Sequence, residues 1–443
     1  MEYYSLFIRH EKNKPTNKVK SAMNSYLQKR YKLDNRNNQI TFINICAICS
    51  FYTFSHPYPQ VISILEISIG LFLGIAFLFT LLFVEKSTRA ILLVGLLSTM
   101  FFWPLLVGLI KGSSLGNIIR DVIPFLYICF ASIFLIRSDT HGSFFKAIHR
   151  VLPWLLTLIG LVFTVREVLP FLDHILANNG IVWLEMHLLL QSCAVTFAMC
   201  FLLLRGCNFM HSGNYFKGII LLALSLIPFI GAYLSVMRAP TAFYILFILI
   251  AFIIWPVKIW RKVAIVGVVG LIFIISMGPN ALNPYLANLT NKQKNHGNNG
   301  KIEEVTRITE LTLDGTKLTQ LFGQGWGSTW ASPAFQPIEH PGKRISYAHS
   351  FIAYSILKFG IPGYLISILL IVMVFSLFSL AWYRVKVFSY EGTVLLSTMP
   401  ALLIGIFLEP NYKTLDFSLT LLILIIAFKV ANSKSVNTTI ELK

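Results

Sequence analysis

The chain has 443 residues, of which 56% are hydrophobic and only 13% charged, and its mean hydropathy is +0.69. A soluble domain carries roughly a quarter charged residues, so this composition excludes an ordinary water-soluble fold. The formal charge of +18 does not point to nucleic acid, because the basic residues gather between long apolar runs, where Lys and Arg report orientation in a membrane.

Residues 1–39 read as a basic tail, with nine Lys and Arg from Arg9 to Arg36. Such a tail fixes orientation and can touch anionic headgroups. It is long, and no small-residue cleavage site follows it, so the first apolar run is expected to stay as an anchor. Apolar runs then follow at 40–56, 60–84, 90–110, 122–137, 151–171, 184–204, 218–236, 240–256 and 263–278. Three more, at 350–382, 392–409 and 415–430, precede a short tail over 431–443. Many reach the ~18 residues of a spanning helix and lack the alternation of barrel strands. The expected fold is an all-α polytopic membrane protein of about twelve transmembrane helices, because lipid leaves no unpaired backbone group satisfied.

Orientation follows from the loops. The tail, Lys86/Arg89, Arg137/Lys146/Arg150, Arg205/Lys217, Lys258/Arg261/Lys262, Arg384/Lys386 and Lys429/Lys434/Lys443 fall on one side. The short loops of the other side hold Lys111, Arg120, Arg166, Arg238 and Lys413. The richer side is expected to be cytoplasmic, with both termini on it. Residues 279–349, before the tenth span, form the one long loop and fall on the outer side. The loop is rich in Asn, Gly, Pro and Thr, with helical stretches expected around Ile302–Leu321. A loop of that length in a compact protein is usually functional.

The six cysteines give no framework. Cys46 and Cys49 form C-x-x-C inside the first apolar run, Cys129, Cys193 and Cys200 lie in other runs, and Cys207 sits at a cytoplasmic edge. No exported disulfide is expected, and no His or further Cys partners Cys46 and Cys49 as a metal site. His56, His187 and His211 share no ligand spacing and read as packed or interfacial side chains. Glu66 reads equally as a bundle-facing acid or a packing residue.

Charges near lipid cost roughly 2.5–3.5 kcal/mol at a helix centre, so those kept there tend to act. The outer edge collects Arg120, Arg166, Glu167, Arg238, Arg307, Arg344, His349 and Glu409. Arg238 stands at a short turn between two apolar runs, where its planar fork suits a phosphate; snorkelling to headgroups is the plainer reading. His349 lies where the long loop re-enters the membrane, and a neutral imidazole there can accept a proton. Lys358, nine residues on, could face a polar cavity or assist phosphate binding.

His349-Ser350, nine further residues and then Gly360-Ile361-Pro362-Gly363 resemble the H-[NSQ]-x(9)-G-x-x-[GTY] pattern of O-antigen ligases. The related O-antigen polymerases and protein O-oligosaccharyltransferases share it. Arg307 followed by Leu321-Phe-Gly-Gln-Gly-Trp-Gly resembles the family's approach to its histidine. Met237-Arg238-Ala239-Pro240 is similar to its S-R-[GA] turn. The resemblance spans roughly 218–375, with Met-Arg-Ala-Pro and Ser350 as its departures.

The resemblance implies a transferase at the outer face of the bacterial inner membrane. Its donor would be a glycan on undecaprenyl diphosphate, and its acceptor a sugar hydroxyl of lipid A–core. A polymerase extending a growing glycan chain is the alternative, and a flippase or transporter is the reading from another class. Transporters tend to show related halves and broken helices near the midplane, and the sequence signals neither. Carried onto this chain, His349 is the catalytic base and Arg238 and Arg307 hold the diphosphate. Arg120, Arg166, Arg344, Lys358 and Glu409 are further candidates. No metal and no cofactor is expected: the chain has no D-x-D and no G-x-x-x-x-G-K-[ST]. Gly323–Gly327 reads as a turn, with sugar contact through Trp326 or Trp330 as the sharper alternative. Arg238, Arg307 and His349 are expected to line one outward cavity.

Overall fold

A computed structural model describes residues 17–57, 63–81, 84, 87–137, 143–171, 189–235, 237–254, 267, 290, 301–333, 344–385 and 389–441. The predicted span 263–278, apart from Gly267, lies outside the described residues, as does His187.

The first eight helices are α1 (Asn17–Phe54), α2 (Ile64–Leu81), α3 (Thr88–Ile110), α4 (Leu115–Ile133), α5 (Ser143–Val168), α6 (Cys193–His211), α7 (Tyr215–Leu234) and α8 (Arg238–Ile254). Two short helices, α9 (Lys301–Leu313) and α10 (Lys317–Phe322), fall in the long loop, where helix was expected. A two-stranded antiparallel pair follows, β1 (Trp330–Ala331) with β2 (Arg344–Ile345), in the register Trp330↔Ile345. Then come α11 (Phe351–Phe359), α12 (Ile361–Trp382), α13 (Tyr390–Phe407), a 3₁₀ turn (Pro410–Lys413) and α14 (Leu415–Glu441). Among the described residues, nine helices are long and apolar enough to cross a membrane.

Local chemistry fixes many helix starts. Ser87, Ser114, Ser192, Asn214, Thr316, Ser350 and Ser389 each accept a hydrogen bond from a backbone N–H of the first turn. At α2, Ser63 Oγ accepts from Leu65 N at 3.2 Å and Glu66 reaches back to Ser63 N at 2.8 Å. This reciprocal cap accounts for Glu66: it caps the start of α2 and also accepts from Ser55 Oγ at 2.7 Å.

Two expectations change. The helix around the first span begins at Asn17, so part of the basic stretch is helical. The expected span 350–382 is not continuous: Gly360, at φ +70 and ψ −143, parts α11 from α12. Any residue with a Cβ is strained there, and Pro362 fits only the first turn of the new helix. The 22 residues of α12 suffice to span, so the break falls at the helix end rather than the midplane.

The bundle is layered. Most of the apolar stretch of α6 and of α14 is buried, whereas α2, α3 and α12 bury less than a third of theirs. The outer helices present Ile67, Leu71, Leu92, Phe102, Leu365 and Ile368 outward, an apolar rim that suits lipid rather than water. At the centre α14 packs on α4, α5, α6, α12 and α13.

Polar links tie the two ends. At one, Asp416 at the start of α14 accepts from Tyr52 of α1 at 2.8 Å and from Ala194 N of α6 at 3.0 Å. At the other, Arg137 bridges to Val84, donates to Thr80 Oγ1 at 3.1 Å and stacks on Phe144 at 3.9 Å. The long loop folds onto the Asp416 end.

Candidate functional site

The chain enters α11 through Tyr347-Ala348-His349-Ser350, and each backbone step is pinned. Trp330 Nε1 donates to Tyr347 O at 2.9 Å. Tyr412 Oη donates to Ala348 O at 2.8 Å, which buttons this segment to the 3₁₀ turn. Ser350 caps α11 through Ala353 N at 3.2 Å. His349 lies between these anchors, its side chain 12% exposed.

Glu304 meets it from α9. One oxygen, Oε2, accepts from His349 N at 2.8 Å and lies 2.9 Å from Nδ1. The other, Oε1, accepts from Ser332 Oγ. Burial pushes the Glu304 carboxyl upward, but the His349 contacts and Ser332 outweigh it and hold the group below the usual carboxylate range. An ionised carboxylate only accepts, so Nδ1 must carry the proton. In the neutral form of the ring the lone pair then lies on Nε2. A fixed tautomer at the mouth of a helix is what a proton acceptor needs.

Beneath this pair lies a buried charge cluster. Asp121 of α4 accepts from Lys413 Nζ (3.1 Å) and Tyr354 Oη (3.2 Å) at Oδ1. At Oδ2 it meets Lys358 Nζ (2.7 Å) and accepts from Gly327 N (2.8 Å). Lys358 also donates to Ser328 O at 2.8 Å. The cluster joins α4, the glycine loop, α11 and the 3₁₀ turn around the segment that bears His349.

The Gly323–Gly327 loop is the wedge between them. Gly323, Gly325 and Gly327 all have positive φ. Gln324 N and Gly325 N donate to Leu357 O and Lys358 O, at 2.8 and 3.2 Å, and so cap the carbonyl end of α11. Trp326 N donates to Pro104 O at 2.8 Å, and a Cβ on Gly325 would stand 2.4 Å from Gly108 N. The loop is a turn, as expected, but the sugar-contact alternative fails. Trp326 is 0% exposed and Trp330 3%, and their indole N–H groups are spent on Phe101 O and Tyr347 O.

The other nominated residues separate. Arg307 lies one turn beyond Glu304 on α9, 61% exposed and paired with Glu310 at 3.3 Å. It lines a cavity of about 430 Å³ with Ile302, Glu303, Thr306, Glu310, Ala331 and Pro333. Neither His349 nor Arg238 is among the residues lining that cavity. Arg238 opens α8, which packs on α6, α7 and α13. Arg166 donates to Thr53 O and Ser55 O, at 3.0 and 2.8 Å, and so ends α1. Arg344 donates to Thr329 O at 2.6 Å. Arg120 is exposed beside Asp121, and Glu167 and Glu409 are part-buried. Lys358 is 0% exposed and bound to Asp121, so it faces no open cavity.

Residues 223–368 match a family model described as O-antigen ligase. That stretch is similar to the O-antigen ligase family, and the match covers about a third of the chain. That stretch contains Arg238, Glu304, Arg307, the glycine loop, His349 and Lys358. The family implies glycosyltransferase-type activity in O-antigen processing, on a lipid-linked glycan, by a multi-pass membrane protein. No curated protein and no solved structure matches the chain.

Sequence reasoning did not single out Glu304 or Asp121. Each had a faint signal. Glu304 stands three residues before Arg307 in a helical stretch, and Asp121 is an acid inside an apolar run beside Arg120. Only the fold brings them to His349 and Lys358.

Proposed function

We propose that this protein transfers an O-antigen-type glycan from undecaprenyl diphosphate to a sugar hydroxyl of lipid A–core. The reaction takes place at the outer face of the bacterial inner membrane. The observation that carries the reading is the Glu304–His349 pair, a buried carboxylate orienting an imidazole at the end of the bundle. His349 Nε2 takes the proton of the acceptor hydroxyl as its oxygen attacks the anomeric carbon. The bond from that carbon to the diphosphate oxygen breaks, and the electron pair leaves with undecaprenyl diphosphate. Glu304 stabilises the imidazolium as it forms. Arg307 and Arg238 neutralise the departing diphosphate, for which a guanidinium fork is suited. The exposure of Arg307 supports its part, since a group spent on packing could not meet a ligand. The diphosphate is already activated, so no nucleotide enters the scheme.

The deciding experiment is a lipopolysaccharide ladder from a deletion strain complemented with the natural gene or with His349→Ala. The expected result for the variant is core with no attached glycan, while polymer accumulates on undecaprenyl diphosphate. Core bearing one repeat unit would reassign the protein as the polymerase using the same donor. Natural ladders at normal protein levels would remove His349 from the mechanism.

A further inference from the structure

Asp121 has its acceptor positions filled. Two partners meet each oxygen: Tyr354 and Lys413 at one, Gly327 N and Lys358 at the other. One carboxylate thus faces two ammonium groups, and the cluster carries a net positive charge inside the bundle. The two lysines are not equivalent. Lys358 is 0% exposed and also donates to Ser328 O and Oγ. Lys413 is 10% exposed, and its hydrogen bond goes to Asp121. Its Nζ lies over the rings of Tyr347 and Tyr354, 5.4 and 5.2 Å from their centroids, whose faces attract a cation without offering a lone pair. An ammonium has three donors, so Lys413 keeps donors and charge for a further partner. The cluster reaches the surface through Lys413, and Tyr412 next to it is bonded to Ala348, the neighbour of His349.

We propose that Lys413 is an anion-binding residue at the floor of the His349 site, taking a phosphate group of the lipid-linked donor. This rests on the transferase reading above. Asp121 and Lys358 position it: Asp121 holds the Lys413 ammonium through one hydrogen bond, and Lys358 supplies the charge that keeps Asp121 from neutralising Lys413 alone. The phosphate could belong to a polyprenyl diphosphate or to an anionic phospholipid, and the test separates them.

The full chain is placed in phosphatidylcholine nanodiscs and titrated with farnesyl diphosphate by calorimetry. The expectation is measurable binding that Lys413→Gln weakens by about tenfold or more and Lys413→Arg largely restores, as loss and return of a charge-assisted hydrogen bond would give. Equal affinity in the natural chain and Lys413→Gln overturns the inference and leaves the transferase reading standing. In a second arm, phosphatidylglycerol is added to the nanodiscs. If farnesyl diphosphate does not bind but phosphatidylglycerol raises the unfolding midpoint only when Lys413 is present, the phosphate site stands with a headgroup as its source and the donor reading falls. No response to either ligand overturns both. Should Lys413→Gln not fold, the natural chain is reductively methylated with and without farnesyl diphosphate and read by mass spectrometry. Protection of Lys413 supports the site, and equal labelling overturns it.

Discussion

His349 and Glu304 are joined twice through one oxygen: Glu304 Oε2 lies 2.8 Å from the His349 backbone nitrogen and 2.9 Å from Nδ1. The backbone contact fixes where the residue stands, and the ring contact fixes which nitrogen holds the proton. Both use the same buried atom, so the backbone contact holds the acceptor in place and turning the ring forfeits the Nδ1 contact. A helix of the long loop thereby orients a residue at the start of a helix of the bundle.

Glu304→Gln should therefore impair turnover more than binding. The amide is isosteric but neutral and can present either its oxygen or its NH₂ to Nδ1, so the tautomer and the developing imidazolium lose their support. General-base contributions run to about 10²–10⁴ in rate, and a loss of roughly 10–100-fold in kcat with little change in KM is expected. Steady-state transfer from a polyprenyl diphosphate-linked glycan, followed on the purified protein, measures both. A change confined to KM would place Glu304 in substrate binding instead.

The same carboxylate sets an acid dependence of stability. Its folded value lies below the ordinary one, so its contribution is fully present above the unfolded carboxylate pKa of about 4.3. It is lost as pH falls through the depressed folded value. Unfolding midpoints of the natural chain and Glu304→Gln, compared from neutral pH into acid, should differ most at neutral pH and converge at low pH. A gap that stays constant would mean that the charge of Glu304 does not stabilise the fold.

Much of the bundle is legible because apolar runs of spanning length have few alternatives. The boundaries of α3, α7, α13 and the start of α14 fall within a few residues of the runs that announce them. The break at Gly360 is not legible from hydropathy, since Phe359 and Ile361 continue the apolar run on either side. It is dictated by a contact remote in sequence, the loop at Gly323. His349 could be found because it sits in a local pattern of histidine and glycines. Glu304, 45 residues away, could not, because nothing in an acidic helix turn says which side chain will turn inward. Arg166 illustrates the converse: a charge at the bundle edge, proper to nominate, is used to end α1.

Arg166 and Arg307 should separate in experiment. Arg166→Ala strips two carbonyls of a charged donor and should cost about 2–3 kcal/mol, seen as a lower unfolding midpoint. Arg307 is exposed, and its ion pair with Glu310 is of the surface kind worth about 0–1 kcal/mol. Arg307→Ala should leave the midpoint nearly unchanged yet reduce transfer, with Arg307→Lys only partly restoring it, since an ammonium lacks the planar fork. Full activity in Arg307→Ala would retire the diphosphate role given to it.

Gly360 and Gly323 are locked to each other, and this gives the sharpest test of the loop. A Cβ on Gly360 would stand 2.4 Å from Gln320 O and 2.6 Å from Gly323 N, while one on Gly323 would stand 2.5 Å from Gly360 N. These are backbone atoms, which cannot swing aside as a side chain can. Gly112, also at positive φ, has nothing within 4 Å of its own Cβ position. Gly112→Ala thus meets only the left-handed backbone penalty of about 1–2 kcal/mol. Gly360→Ala meets a comparable or larger backbone penalty and a clash that pushes the loop off the end of α11, adding about 1–3 kcal/mol. Displacing the loop withdraws Gly327 N from Asp121 and Ser328 from Lys358, so the damage should reach the site. Thermal unfolding and transfer assays on the two variants should show a modest stability loss with near-normal activity for Gly112→Ala, and losses of both for Gly360→Ala. Equal effects would mean that the loop yields to the added methyl group and does not brace the segment bearing His349.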